Sequence, residues 1–111
     1  MLYALLIYDN EKRWQNGYDA AELTQYHAFG QEFAGAIKGG NALQGTQTAS
    51  TVRLRNGKPA ITDGPFAETK EQLAGFYLVD AKDTAEAQTI AAKIPGAQTG
   101  SIEVRPVMVF S

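Results

Sequence analysis

A single histidine, His27, is the only side chain in this sequence whose reference pKa lies near neutrality. If the chain moves protons, His27 is the natural carrier. The alternative is a half-buried packing residue, since it flanks Leu23, Tyr26 and Gly30 rather than lying among them. A second candidate is Asp63, which opens the tetrapeptide Asp63-Gly64-Pro65-Phe66. Asp before Gly-Pro initiates turns, its carboxylate accepting from local backbone N–H groups. The same carboxylate, at a strand end beside Phe66, could instead be a desolvated general base with a raised pKa. Glu68, Lys70 and Glu71 follow closely and are either a solvated charged patch or the polar lining of a site. In a strand Glu68 and Lys70 would share one face, whereas a helical turn would align Glu68 with Glu71. Arg105 shares a strand face with Glu103. The pair forms either an i, i+2 salt bridge or, turned to a cleft, a grip for a carboxylate or phosphate. With Asp63 and His27 as acid/base groups, and Phe66, Glu68, Lys70, Glu71 and Arg105 as ligand contacts, these residues suit proton transfer on a small molecule.

Much other chemistry is excluded. The chain has no cysteine, so disulfides and thiolate metal sites are absent, in keeping with a reducing cytoplasm. One histidine rules out a multi-histidine metal cluster, and no cofactor is expected. There is no phosphate-binding glycine loop, nucleophile elbow or dinucleotide fingerprint. Ten basic against twelve acidic side chains give a net charge of −2, with no electrostatic footprint for nucleic acid or a membrane surface. Leu2 to Tyr8 is apolar but too short for a signal or membrane-spanning segment.

The elements that would position these residues follow from periodicity. With 111 residues the chain is one domain, 1–111. Leu2-Tyr-Ala-Leu-Leu-Ile-Tyr8 reads as a strand apolar on both faces. Asp9 to Gly17 is a polar loop carrying the only tryptophan, Trp14. Asp19-Ala-Ala-Glu22 has the form of a capping box, and Leu23, Tyr26, Gly30, Phe33 and Ile37 continue from it as one helical stripe. Gly39-Gly40 then supplies the helix stop. Asn41 to Ser50 reads as irregular. Thr51 to Arg55, Asn56-Gly57 and Lys58 to Thr62 form a hairpin with a type I′ turn, pairing Val52 and Leu54 with Ile61 and Pro59. Pro59 places it toward a sheet edge. Gly75 to Asp80 is another buried strand. Asp83-Thr-Ala-Glu86 caps a second helix with Ala87, Ile90, Ala91 and Ile94 inward, stopped by Pro95-Gly96. Ile102, Val104, Met108 and Phe110 alternate along a last strand. Tyr8, Tyr26 and Tyr77 read as core, with ligand-stacking groups as the alternative. The predicted class is α+β, ferredoxin-like β-α-β-β-α-β with an extra central hairpin. Both helices on one face would leave the other bare, and self-association as a homodimer is its simplest cover.

Four segments in this order, Asp63-Gly-Pro-Phe66, Glu68-Thr-Lys-Glu71, Gly75-Phe-Tyr77 and Glu103-Val-Arg-Pro106, resemble the DGPF proteins, a branch of the YCII-related family. The resemblance implies a dimeric α+β barrel with a small cleft in each subunit between the sheet and the first helix. Some relatives degrade chlorinated aromatics with a His-Asp pair, the His near the start of the first helix and the Asp near its end. Here the helix carries His27 later along its length, and Ile37-Lys-Gly-Gly40 holds no carboxylate. Genes for DGPF proteins also often neighbour those for extracytoplasmic-function sigma factors. Two functions are therefore expected: a cofactor-free acid/base enzyme acting on a small, perhaps aromatic, compound, or a non-catalytic accessory module associated with a sigma factor.

Overall fold

The computed structural model describes residues 1–110. The first apolar run becomes β1, Leu2–Asp9, whose inward set Tyr3, Leu5, Ile7 and Asp9 is buried while Ala4, Leu6 and Tyr8 on the other face are half-covered. After a 3-10 turn at Glu11–Trp14, helix α1 spans Ala20–Glu32, and the Asp19 carboxylate caps it by accepting from the Ala21 N–H at 3.2 Å. The helix stops at Glu32, short of the two glycines expected to end it. Ile37–Ala42 is instead a strand, β2, and the stretch read as helix end and irregular chain is part of the sheet. The glycines serve close strand approach. Gly40, at φ 152°, lies so near β5 that a Cβ would sit 2.5 Å from the Phe76 carbonyl oxygen.

The hairpin forms as its sequence required. Strand β3, Ser50–Arg55, pairs with β4, Lys58–Asp63, and sets Val52 against Ile61 and Leu54 against Pro59. Asn56 (φ 53°) and Gly57 (φ 73°) make the turn in the left-handed region that type I′ demands. The hairpin is not at an edge of the main sheet, however. It is a separate two-stranded ribbon with nearly every residue exposed.

Strand β5, Gln72–Asp80, helix α2, Thr84–Ala92, and strand β6, Ser101–Pro106, complete the chain. Asp83 accepts from the Glu86 N–H at 2.9 Å, while the Glu86 carboxylate reaches back to the Lys82 N–H. The four-stranded sheet runs β2-β5-β1-β6, every neighbour antiparallel. This is the ferredoxin-like α+β arrangement, with the ribbon inserted between its second and third strands.

Both helices cover one face. Tyr3, Leu5 and Val79 from the sheet meet Ile90 and Ile94 to form the centre of the core. Helix α2 lies directly on β6 and β1. Helix α1 stands off on long aromatic side chains. Phe29, outside the predicted stripe, is its buried anchor, with ring centroids 5.0 Å from Tyr77 and 5.1 Å from Phe33. Among the described residues, no element lies over the opposite sheet face. Val107 to Phe110 run on past β6, and Met108, Val109 and Phe110 are exposed.

Candidate functional site

Because α1 stands off, a cavity of about 330 Å³ remains between its first half and the sheet. The floor is made of small residues, Gly40 and Ala42 on β2 with Ala74 and Gly75 on β5, which keep the sheet low at that point. A register shift between Ile7 and Tyr8 loosens the β1–β5 pairing at Ala74. Leu23 and Tyr26 come from α1, Tyr77 from β5, and Trp14 and Tyr18 from the loop before the helix. Trp14 and Tyr18 stack at 5.7 Å with 12° between their planes, forming a flat aromatic wall.

One side of this mostly apolar space is charged. Asp9, at the end of β1, is 3% exposed and fully partnered. It accepts from Arg13 Nη1 at 2.7 Å, from Thr99 Oγ1 at 2.6 Å and from the Asn10 N–H at 2.7 Å. Arg13 Nη2 donates to Glu22 Oε2 at 2.9 Å, so one planar guanidinium joins two carboxylates. The same guanidinium lies 5.7 Å from the Trp14 ring centroid, a cation–π distance. Burial alone would lower the Arg13 pKa, but its bonds to Glu22 and the field of Asp9 outweigh that and raise it. Glu22 lines the cavity, and its Oε1 accepts no hydrogen bond among the described residues. Burial, helped by the Glu22 charge, pushes the Tyr26 phenol up to about 12, and burial raises Tyr77 as well. Tyr26 is therefore a neutral hydroxyl at any physiological pH.

The loop is tied down beyond Arg13. The Glu11 N–H donates to Gln72 Oε1 at 3.0 Å, and the Glu11 carboxylate accepts from the backbone and hydroxyl of Thr46. Sheet, loop and helix thus hold the wall in place.

None of the seven residues expected as acid/base groups or ligand contacts is among those lining this cavity. His27 is exposed on α1, and no salt bridge or hydrogen bond joins it to an acid among the described residues. Asp63 is exposed at the end of the ribbon. The Gly64 N–H that its carboxylate was expected to cap donates to the Ala49 carbonyl at 2.7 Å instead, and no hydrogen bond reaches the carboxylate among the described residues. Phe66 is 80% exposed. Glu68 and Lys70 are exposed in a segment that is neither strand nor helix, so neither expected alignment forms. Glu71 is half-buried and accepts from Ser101 Oγ at 3.0 Å. Arg105 donates through Nε to Glu103 at 2.7 Å on the open sheet face, the salt-bridge alternative. It holds Glu103 below the usual carboxylate range.

Asp9, Arg13, Trp14, Tyr18 and Glu22 went unassigned as site residues, and Tyr26 was read as core. A signal was present. A carboxylate ending an apolar strand, an arginine four residues on and the only tryptophan next to it is an unusual density for a plain loop. Glu22 was read as the far half of a capping box, but its carboxylate turns to Arg13 instead.

The YCII-related domain model matches residues 1–111. The chain belongs to the YCII-related family. An uncharacterized protein of Rhizobium meliloti (strain 1021) is 39% identical over 117 residues, which cover 99% of this chain and 94% of that one. Among solved structures, this YCII-related chain resembles 5-chloro-2-hydroxyhydroquinone dehydrochlorinase from Burkholderia phenoliruptrix in complex with 2,5-dihydroxybenzoquinone. The TM-score is 0.62, with 97% of this chain and 94% of that chain covered. At 14% identity the likeness is one of fold. No described helix of the YCII-related chain is long and apolar enough to cross a membrane. No group of three or more His, Cys, Asp or Glu among the described residues could hold a metal ion.

Proposed function

We propose that this YCII-related chain binds a small aromatic molecule in the cavity beneath α1 and performs cofactor-free acid/base chemistry on it. The carrying observation is the convergence of an aromatic, largely apolar cavity on the Asp9–Arg13–Glu22 cluster. A ring slides between the Trp14–Tyr18 wall and the small-residue floor. Glu22 accepts the proton, since it lines the space and its Oε1 carries no hydrogen bond among the described residues. Arg13 orients Glu22 and Asp9 fixes Arg13, so Asp9 acts as a positioning residue. Tyr26 lines the cavity as a neutral residue, with its hydroxyl beside Gly96. The fold-level neighbour, a dehydrochlorinase bound to a dihydroxybenzoquinone, supports a small ring as occupant but not a particular substrate. His27 and Asp63, expected as the acid/base pair, would need a molecule bound outside this cavity, so the reading gives proton transfer to Glu22. An accessory module associated with a sigma factor needs no such cavity.

The working form is taken to be a cytoplasmic homodimer of the DGPF branch, one domain per subunit. Leu6, Phe76 and Leu78 share the uncovered sheet face, and a second sheet is the element that would cover it.

The test uses catechol and hydroquinone as probes, titrated while following emission from the only tryptophan, Trp14. Trp14 emission should change saturably, and a spectroscopic screen of substituted phenols should find turnover that Glu22→Gln lowers about 100-fold or more at nearly unchanged affinity. Probes that leave Trp14 untouched, or a Glu22→Gln variant as active as wild type, would overturn the reading.

A further inference from the structure

From the charge of the cavity lining, we infer that the ring it takes carries a protonated aminoalkyl group rather than a carboxylate or phosphate. The inference rests on the ligand-site reading above and deepens it to a substrate class. No lysine, arginine or histidine lines the cavity, and its two charged residues are the carboxylates Asp9 and Glu22. The one nearby cation, Arg13, is committed to both of them, at 2.7 and 2.9 Å, and its guanidinium is further engaged against Trp14. Counting that arginine with its two acids leaves one negative charge beside a space walled by apolar side chains. An anionic ring would be desolvated against that charge with no counter-ion within reach, which is unfavourable on both grounds.

A protonated amine meets the opposite situation. Glu22 keeps one oxygen, Oε1, without a hydrogen-bond partner among the described residues, and its side chain is only 16% exposed. An ammonium group donating to Oε1 would restore neutrality and form a charge-assisted hydrogen bond in a site sheltered from water, and its N–H is then the proton that Glu22 takes. Asp9 offers no comparable acceptor, because Arg13, Thr99 and Asn10 already occupy its oxygens. Recognition of the charge therefore falls to Glu22, while the aromatic wall and floor recognise the ring.

Three probes of nearly equal size separate charge from shape: benzylamine, benzyl alcohol and benzoate. Each is titrated calorimetrically, with Trp14 emission as a second readout, into wild type, Glu22→Gln and Glu22→Asp. Wild type should bind benzylamine at least tenfold more tightly than benzoate, with the alcohol between. Glu22→Gln should weaken the amine about tenfold and the alcohol less than threefold, and Glu22→Asp should keep the wild-type order. Benzoate binding as tightly as benzylamine would overturn the inference, as would equal losses for amine and alcohol in Glu22→Gln. If none of the three probes binds while catechol does, the inference falls alone; if catechol fails as well, the ligand-site reading falls with it. Should Glu22→Gln fail to fold, the wild-type order and Glu22→Asp still decide.

Discussion

Arg13 is the residue on which the site depends. It holds a carboxylate that is almost wholly removed from water, and losing one partner of such a pair leaves an uncompensated buried charge. Thr99 and the Asn10 N–H would still serve Asp9 in Arg13→Ala, and Arg13 keeps 32% of its side-chain surface exposed. The expected loss is therefore about 2 kcal/mol, below the range for fully buried pairs, as chemical denaturation would show. Arg13→Lys should recover less than half of it, because an ammonium cannot fork between two carboxylates. Tyr26 carries a pH signature. Its folded pKa of about 12 lies above the reference 10.0, so folding favours the neutral phenol. The stability this gives is complete below pH 10 and is lost as pH rises through 12, when the unfolded chain ionises first. The stability of wild type relative to Tyr26→Phe, followed by denaturation across that window, should fall by on the order of 1–2 kcal/mol. A relative stability that stays constant or rises would contradict the buried, neutral phenol.

At the scale of elements, local signals were readable where one residue type has one use. Asn56-Gly57 gave the ribbon turn and its pairing, because few other residues accept two successive positive φ angles. Asp19 and Asp83 gave both helix starts. Strand β2 was hidden because Gly39-Gly40 has two uses, ending a helix or letting two backbones approach, and only tertiary pairing with β5 chooses between them. The candidate site was hidden for a related reason. Asp9, Arg13 and Glu22 come from a strand end, a 3-10 turn and a helix, and no periodicity links them. The conspicuous charges at Glu68 to Glu71 and at Arg105 lie outside the cavity. The close approach at Gly40 has a measurable cost if disturbed. Gly40→Ala would force a Cβ to 2.5 Å from the Phe76 carbonyl and 3.1 Å from Tyr77. Thermal or chemical unfolding should register a loss of roughly 2–3 kcal/mol, and Gly57→Ala, where the space is open, should lose less.

For the whole molecule, dimensions matter more than any single contact. The radius of gyration is 15.9 Å, against about 13 Å for a compact chain of this length. The excess comes from a sheet with one bare face, a projecting ribbon and an exposed tail with Met108 and Phe110. A second copy on that face should bury ~1,600 Å² or more in total. Sedimentation at micromolar concentration is expected to show a dimer, and Leu6→Glu, which places a charge in the middle of the open face, a monomer. A wild-type monomer at that concentration would count against the assembly.

The ribbon has a further consequence for motion. A lone two-stranded hairpin is barely stable in water, and this one forms its own sheet, closed at the base where the Gly64 N–H donates to the Ala49 carbonyl and the Thr51 hydroxyl to the Gly64 carbonyl. Within a single chain it can open and reclose while the four-stranded sheet stays intact, as a separate cooperative unit of low stability. Amide hydrogens from Ser50 to Asp63 then exchange with solvent on a faster clock than those of β1 and β5. Whatever slows that clock must be touching the ribbon.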